Sequence, residues 1–113
     1  MKEPSPEHFA RMDAYIREWL KLFGRLVNFQ RNFLGMSQEL VASLAGLSRT
    51  ELNHLESGTQ DHKISTFIRI CITLMRGPGE VASHLEHLVD HPEDRPPESP
   101  RKSQRGKNTR RSL

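Results

Sequence analysis

The chain has 113 residues, enough for one domain with tails and too few for two ordinary domains. Its net charge of +3 is unevenly spread: residues 1–94 hold ten Lys/Arg and thirteen Asp/Glu, and residues 95–113 hold seven Lys/Arg and one Glu. That split, −3 against +6, excludes a global positive field over the compact part, which must meet any polyanion through locally placed charges. No apolar run reaches bilayer-spanning length, and the start, Met-Lys-Glu-Pro-Ser-Pro-Glu, has no apolar signal region. A single cysteine, Cys71, excludes an internal disulfide. A soluble, cytoplasmic protein without a membrane partner is expected. With 35% hydrophobic residues the core is small, and a second subunit would add the burial it lacks.

Ser5-Pro6-Glu7 has the form of a helix start: a capping hydroxyl, proline at the first helical position and an acid near the positive end of the dipole. Phe9, Met12, Ile16, Leu20, Phe23, Val27 and Leu34 keep helical spacing, with Leu26, Phe29 and Phe33 as a second stripe. The expectation is a helical region over about residues 7–34, with Gly24 as the one place for a break. Its early part can pack on its own domain or serve as a dimer arm.

Residues 38–57 carry the strongest pattern. Ser37 can cap a short helix whose inward face is Val41, Leu44 and Ala45. Gly46 stands where the chain must turn with positive φ, and Leu47 plugs the corner. Ser48 caps a second helix with Leu52 and Leu55 inward, and the small Ala42 lies where the two helices approach most closely. This is a helix-turn-helix. With Met-Ser-Gln-Glu at its start and Leu-Glu-Ser-Gly at its end, residues 35–58 resemble the Cro/cI-type, XRE-like DNA-binding domains. The resemblance covers roughly residues 23–75.

After a polar loop at residues 59–63, Ile64, Phe67, Ile68, Cys71, Leu74 and Met75 mark an amphipathic helix closing the core, with Cys71 as an apolar filler. Gly77-Pro78-Gly79 ends it. A further helix over about residues 80–90 carries Val81, Leu85, Leu88 and Val89 on one side and is a candidate dimer element. From His91 the chain turns proline-rich and then basic, a composition that cannot form a packed element. The expected organisation is therefore a helical extension (residues 1–21), a helix-turn-helix domain (22–76, motif 38–57), a C-terminal helix (77–91) and a disordered basic tail (92–113). The fold class is all-α, a small bundle of the phage-repressor type.

In a helix-turn-helix the second helix enters the major groove of double-stranded DNA, where each base pair shows a distinct donor and acceptor pattern. Its outward residues are Arg49, Thr50, Asn53 and His54. Arg49 can fork onto guanine, Asn53 can pair with adenine, the Thr50 methyl can meet thymine, and His54 can reach a base or a phosphate. Gln38 opens the first motif helix, where N–H groups and the dipole attract phosphate, a role the resemblance also implies. Ser48, Ser57 and Lys63 are the other phosphate candidates. The resemblance further implies a structural ion pair between Arg31 and Glu56. Glu51 can accept from cytosine or face solvent.

Glu80, His84, His87 and His91 fall along one stripe, but ligands strung along a single helix do not converge on a metal, and no metal or cofactor is expected. No nucleophile–base–acid set, phosphate-cradling glycine loop or carboxylate pair points to an enzyme. The resemblance implies a sequence-specific transcriptional regulator, a repressor that binds an inverted repeat as a homodimer. The alternative is an antitoxin-like protein that binds a protein partner and autoregulates its operon.

Overall fold

A computed structural model describes residues 3–98, which form five α-helices and one 3-10 turn. They are α1 (Pro6–Phe33), α2 (Gln38–Ala45), α3 (Arg49–Ser57), α4 (Ile64–Leu74) and α5 (Pro78–Asp90), with the 3-10 turn at Pro92–Asp94. No helix among them is long and apolar enough to cross a membrane.

The first helix begins as its sequence dictates: the Ser5 hydroxyl accepts the His8 N–H at 3.2 Å and Pro6 occupies the first helical position. It then runs through Gly24 without a break. Glycine costs an interior helix position about 1 kcal/mol relative to alanine, and packing explains its presence. A Cβ built on Gly24 would lie 2.6 Å from the carbonyl oxygens of both Leu55 and Glu56. The helix crosses the C-terminal end of α3 there, backbone to backbone, and only glycine leaves room.

The core takes Leu22, Phe23 and Val27 from α1, Val41, Ala42 and Ala45 from α2, and Leu52 and Leu55 from α3. Ile70, Cys71 and Leu74 come from α4, and Val81, Leu85 and Leu88 from α5. Phe23 meets Phe67 with ring centroids 4.8 Å apart. Burial pushes the Cys71 thiol up to about 11, so at neutral pH it is a protonated apolar filler.

Periodicity misplaced three side chains. Leu44, read as inward on α2, is 61% exposed, and Ala42 takes the buried place beside Val41 and Ala45. On α4, two apolar stripes overlap at helical spacing. Contact with α1 and α5 selects Phe67, Ile70, Cys71 and Leu74, leaving Ile64 and Ile68 on the solvent side with Ile72. Spacing alone does not rank two such stripes.

The α5 stripe, a candidate dimer element by sequence, is spent on the chain's own core, with Leu85 and Leu88 fully buried. By contrast, α1 is exposed at every position from Pro6 to Arg17 and projects beyond the core.

Residues 92–98 also differ from the loose stretch expected after His91. Arg95 captures the last carbonyls of α5, Leu88 at 2.8 Å and Val89 at 3.1 Å, and pairs with Glu18 at 2.9 Å. Arg25 donates to the Pro96 carbonyl at 2.8 Å. One arginine capturing carbonyls ties this segment down where no apolar residue could. The rest of the expected tail, residues 99–113, lies outside the described residues.

Candidate nucleic-acid interface

The turn between α2 and α3 is built from the outside in. Ser37 caps α2 by accepting the Leu40 N–H at 3.0 Å. At the other end Gly46 has φ +74°, and the Leu47 and Gly46 N–H groups return to the Ala42 and Ser43 carbonyls. That is the Schellman pattern, which ends a helix sharply. Arg69 of α4 donates to the Ala45 carbonyl at 3.4 Å and braces the same corner. Spacing along the chain does not reveal this arginine's place, because it depends on how α4 packs across α2.

Ser48 then starts α3 with a reciprocal capping box. Its hydroxyl accepts the Glu51 N–H at 3.0 Å, and the Glu51 carboxylate accepts the Ser48 N–H at 2.8 Å. These bonds hold the Glu51 carboxyl below the usual carboxylate range, the Ser48 backbone N–H contributing most. Glu51 faces solvent, as one of its two expected roles has it, and it also closes the capping box. Ser48 is correspondingly occupied, and the Ser57 hydroxyl donates to the His54 carbonyl at 2.7 Å.

Beneath the turn lies one buried polar node. Glu56 accepts from Arg31 Nε at 2.6 Å, Arg31 Nη2 at 3.0 Å, Asn28 Nδ2 at 2.8 Å and Gln38 Nε2 at 3.2 Å. Arg31 spends its remaining Nη1 on the Met36 carbonyl at 2.8 Å. Arg31 and Glu56 are 4% and 8% exposed, so both charges are desolvated and matched by fixed donors and acceptors. The node pins three helices: α1 through Asn28 and Arg31, α2 through Gln38, and α3 through Glu56. Sequence reasoning named Arg31 and Glu56 by resemblance but missed Asn28, whose part depends on α1 crossing α3 nearby.

On the outer side, α3 presents two short rows. Arg49 and Asn53, one turn apart, are fully on the surface. The Asn53 Oδ1 accepts weakly from Gln38 Nε2 at 3.4 Å, which steadies the amide and leaves it a second lone pair and both N–H groups. Thr50 and His54 form the other row and line a cleft of about 400 Å³ with His62, Lys63 and Arg69. Burial lowers the His62 pKa from 6.5, opposed by Asp61. Lys63 is exposed at the start of α4. Gln38 turns its amide nitrogen to the node and to the Asn53 Oδ1, and the Leu40 N–H of its helix is taken by the Ser37 cap.

Along α5, His87 stacks on His91 at 4.2 Å and His84 on His87 at 6.4 Å. His87 and His91 turn ring nitrogens to Asp94 and Glu93, at 2.7 and 3.3 Å. The rings form a ladder; they do not converge on a point.

Two helices joined by a glycine-centred turn, the second braced from below and open on its outer face, define a helix-turn-helix module. Residues 24–74 match the family model described as a helix-turn-helix domain. Those residues are thus similar to a helix-turn-helix domain, a likeness that supports a DNA-binding, regulatory function. The match begins at the glycine where α1 crosses α3, so the exposed first half of α1 lies outside it. No curated protein matches the chain.

Proposed function

We propose that the protein is a sequence-specific DNA-binding transcriptional regulator of the cytoplasm, a repressor that binds an inverted-repeat operator as a homodimer. The observation that carries this reading is the buried node under α3. Four donor contacts on Glu56 brace the helix while Arg49, Thr50 and Asn53 stay exposed on its outer face. A braced element with exposed forked donors is what major-groove readout needs.

In this reading Arg49 takes guanine O6 and N7, Asn53 takes adenine, and Thr50 packs on a thymine methyl, each good pairing worth about 1–3 kcal/mol of discrimination. His54, at the edge of the cleft, meets a base edge or the backbone. The N-terminus of α2 at Gln38 receives a phosphate through its N–H groups and dipole. Lys63 adds charge from the far side of α3, Ser48 donates its hydroxyl proton to a phosphate oxygen, and Ser57, whose proton goes to the His54 carbonyl, reaches the backbone through water. One α3 reads too few base pairs to find an operator, so two copies read half-sites about one DNA turn apart.

Selection of tight binders from a random duplex library tests the reading. It expects an inverted repeat with half-sites spaced by about ten base pairs. Recovery of unrelated sequences, bound equally well and lost together as salt rises, would contradict it.

A further inference from the structure

The exposed first half of α1 carries large apolar side chains on one face: Phe9, Met12, Tyr15 and Ile16, all between 45% and 52% exposed. Spaced by three and four residues, they form a continuous stripe. The same face runs on into an apolar groove of about 310 Å³, whose walls include Trp19, Leu20, Phe23, Ile64 and Phe67. A projecting apolar ridge and a receiving apolar groove therefore lie at opposite ends of one helix face. We infer that this face is the homodimer interface, with the α1 arms of two copies pairing antiparallel so that each ridge fills the other's groove. The inference rests on the homodimer reading above and adds the surface that makes it.

Three observations select a second copy as the occupant. First, ridge and groove on the same face are self-complementary under a two-fold axis, the requirement for an isologous contact. Second, charge fits one register. Asp13 and Arg17 lie one turn apart on the same flank of the stripe, and neither has an ion-pair partner among the described residues. With the axis between Ala14 and Tyr15, Phe9 falls within one residue of Trp19 of the other copy and Met12 within one residue of Ile16. Asp13 then lies within one residue of Arg17 across the axis twice, once in each direction. Third, a stable interface needs roughly 800 Å² per partner, more than a single stripe on a slender helix supplies, so the groove is required to complete it. The α5 stripe cannot compete, because its apolar residues are already buried at home.

The test is the dimer dissociation constant of the full chain, by sedimentation equilibrium, with Trp19 emission as a second readout because it is the one tryptophan. Phe9→Glu should weaken the dimer on the order of a hundredfold, while circular dichroism stays unchanged. Asp13→Arg and Arg17→Asp should each weaken it roughly tenfold, since each turns two attractions into two repulsions. The double reversal should restore it, which general destabilisation would not do. Trp19 emission should shift to the blue with protein concentration in the wild type and not in Phe9→Glu. A chain that stays monomeric at every concentration overturns the inference, and points the ridge to another protein. A dimer indifferent to all three substitutions overturns it too, and moves the contact to another face such as Ile68 and Ile72. Operator binding measured on the same samples keeps the readings apart: an arm-paired dimer without specific DNA binding sinks the proposed function and leaves this inference standing.

Discussion

Glu56→Ala is the perturbation with the largest expected effect on stability. The substitution removes the acceptor of four donor contacts at once: Arg31 Nε and Nη2, Asn28 Nδ2 and Gln38 Nε2. Arg31, 4% exposed, keeps the Met36 carbonyl and loses its counter-charge. Breaking one side of a buried ion pair costs about 3–5 kcal/mol, mostly because the remaining charge stays desolvated. A domain of this size has a total stability of about 5–15 kcal/mol, so roughly a fifth or more of it would go. At about 4–8 °C per kcal/mol for a domain of this length, the melting temperature should fall by 12 °C or more. Glu51→Ala on the same helix is the control. It removes an exposed capping partner on which no buried charge depends, and its loss should be clearly smaller. Urea and thermal unfolding of the two variants decide the matter. Equal midpoints would refute the claim that the node, rather than α3's own capping, holds the helix in place.

Other expectations follow from the same geometry. Gly24→Ala should destabilise despite a helix-propensity gain of about 1 kcal/mol, because its Cβ would press on the Leu55 and Glu56 carbonyls at 2.6 Å and displace α3. Gly79→Ala, with nothing within 4 Å, should stabilise slightly in the same urea series. The partly buried His62, with its folded pKa lowered from 6.5, binds fewer protons in the native state than in the unfolded one. Stability should therefore be full above pH 6.5 and fall as pH drops from there through the lowered value, and His62→Gln should flatten that slope in a pH series of unfolding midpoints. Deleting residues 99–113 removes six Lys/Arg while leaving Arg95 at its carbonyls. It should reduce the slope of log affinity against log salt, and an unchanged slope would remove the tail from the DNA contact.

The helix-turn-helix was legible because its demands are local. A capping serine, a glycine at positive φ, a small residue at the crossing and inward leucines are each fixed within a few residues of one another. Ser37, Gly46, Ser48, Leu52 and Leu55 stand in the structure in the parts that spacing gave them. What periodicity could not supply was relative position between helices. Leu44 and Ile64 have faultless helical spacing and face solvent, because neighbouring elements chose another stripe. Gly24 looked like a break and is a crossing point, since its significance lies in carbonyls thirty residues further on. The docking of residues 92–98 was hidden for a related reason: arginine-to-carbonyl capture by Arg95 leaves no apolar signature. On the outer face of α3, sequence named Arg49, Thr50, Asn53 and His54. The structure divides them into a row beside Gln38 and a row along the His62 and Lys63 cleft.

The central claim is that α3 reads bases through Arg49 and Asn53. Duplex selection from fragmented genomic DNA, run in parallel with the wild type and an Arg49→Ala/Asn53→Ala variant of unchanged unfolding midpoint, tests it most directly. The wild type should enrich a recurrent inverted repeat that the double variant no longer enriches, with nonspecific, salt-sensitive binding retained. The same repeat enriched equally by both proteins, or broad enrichment by both, would contradict it.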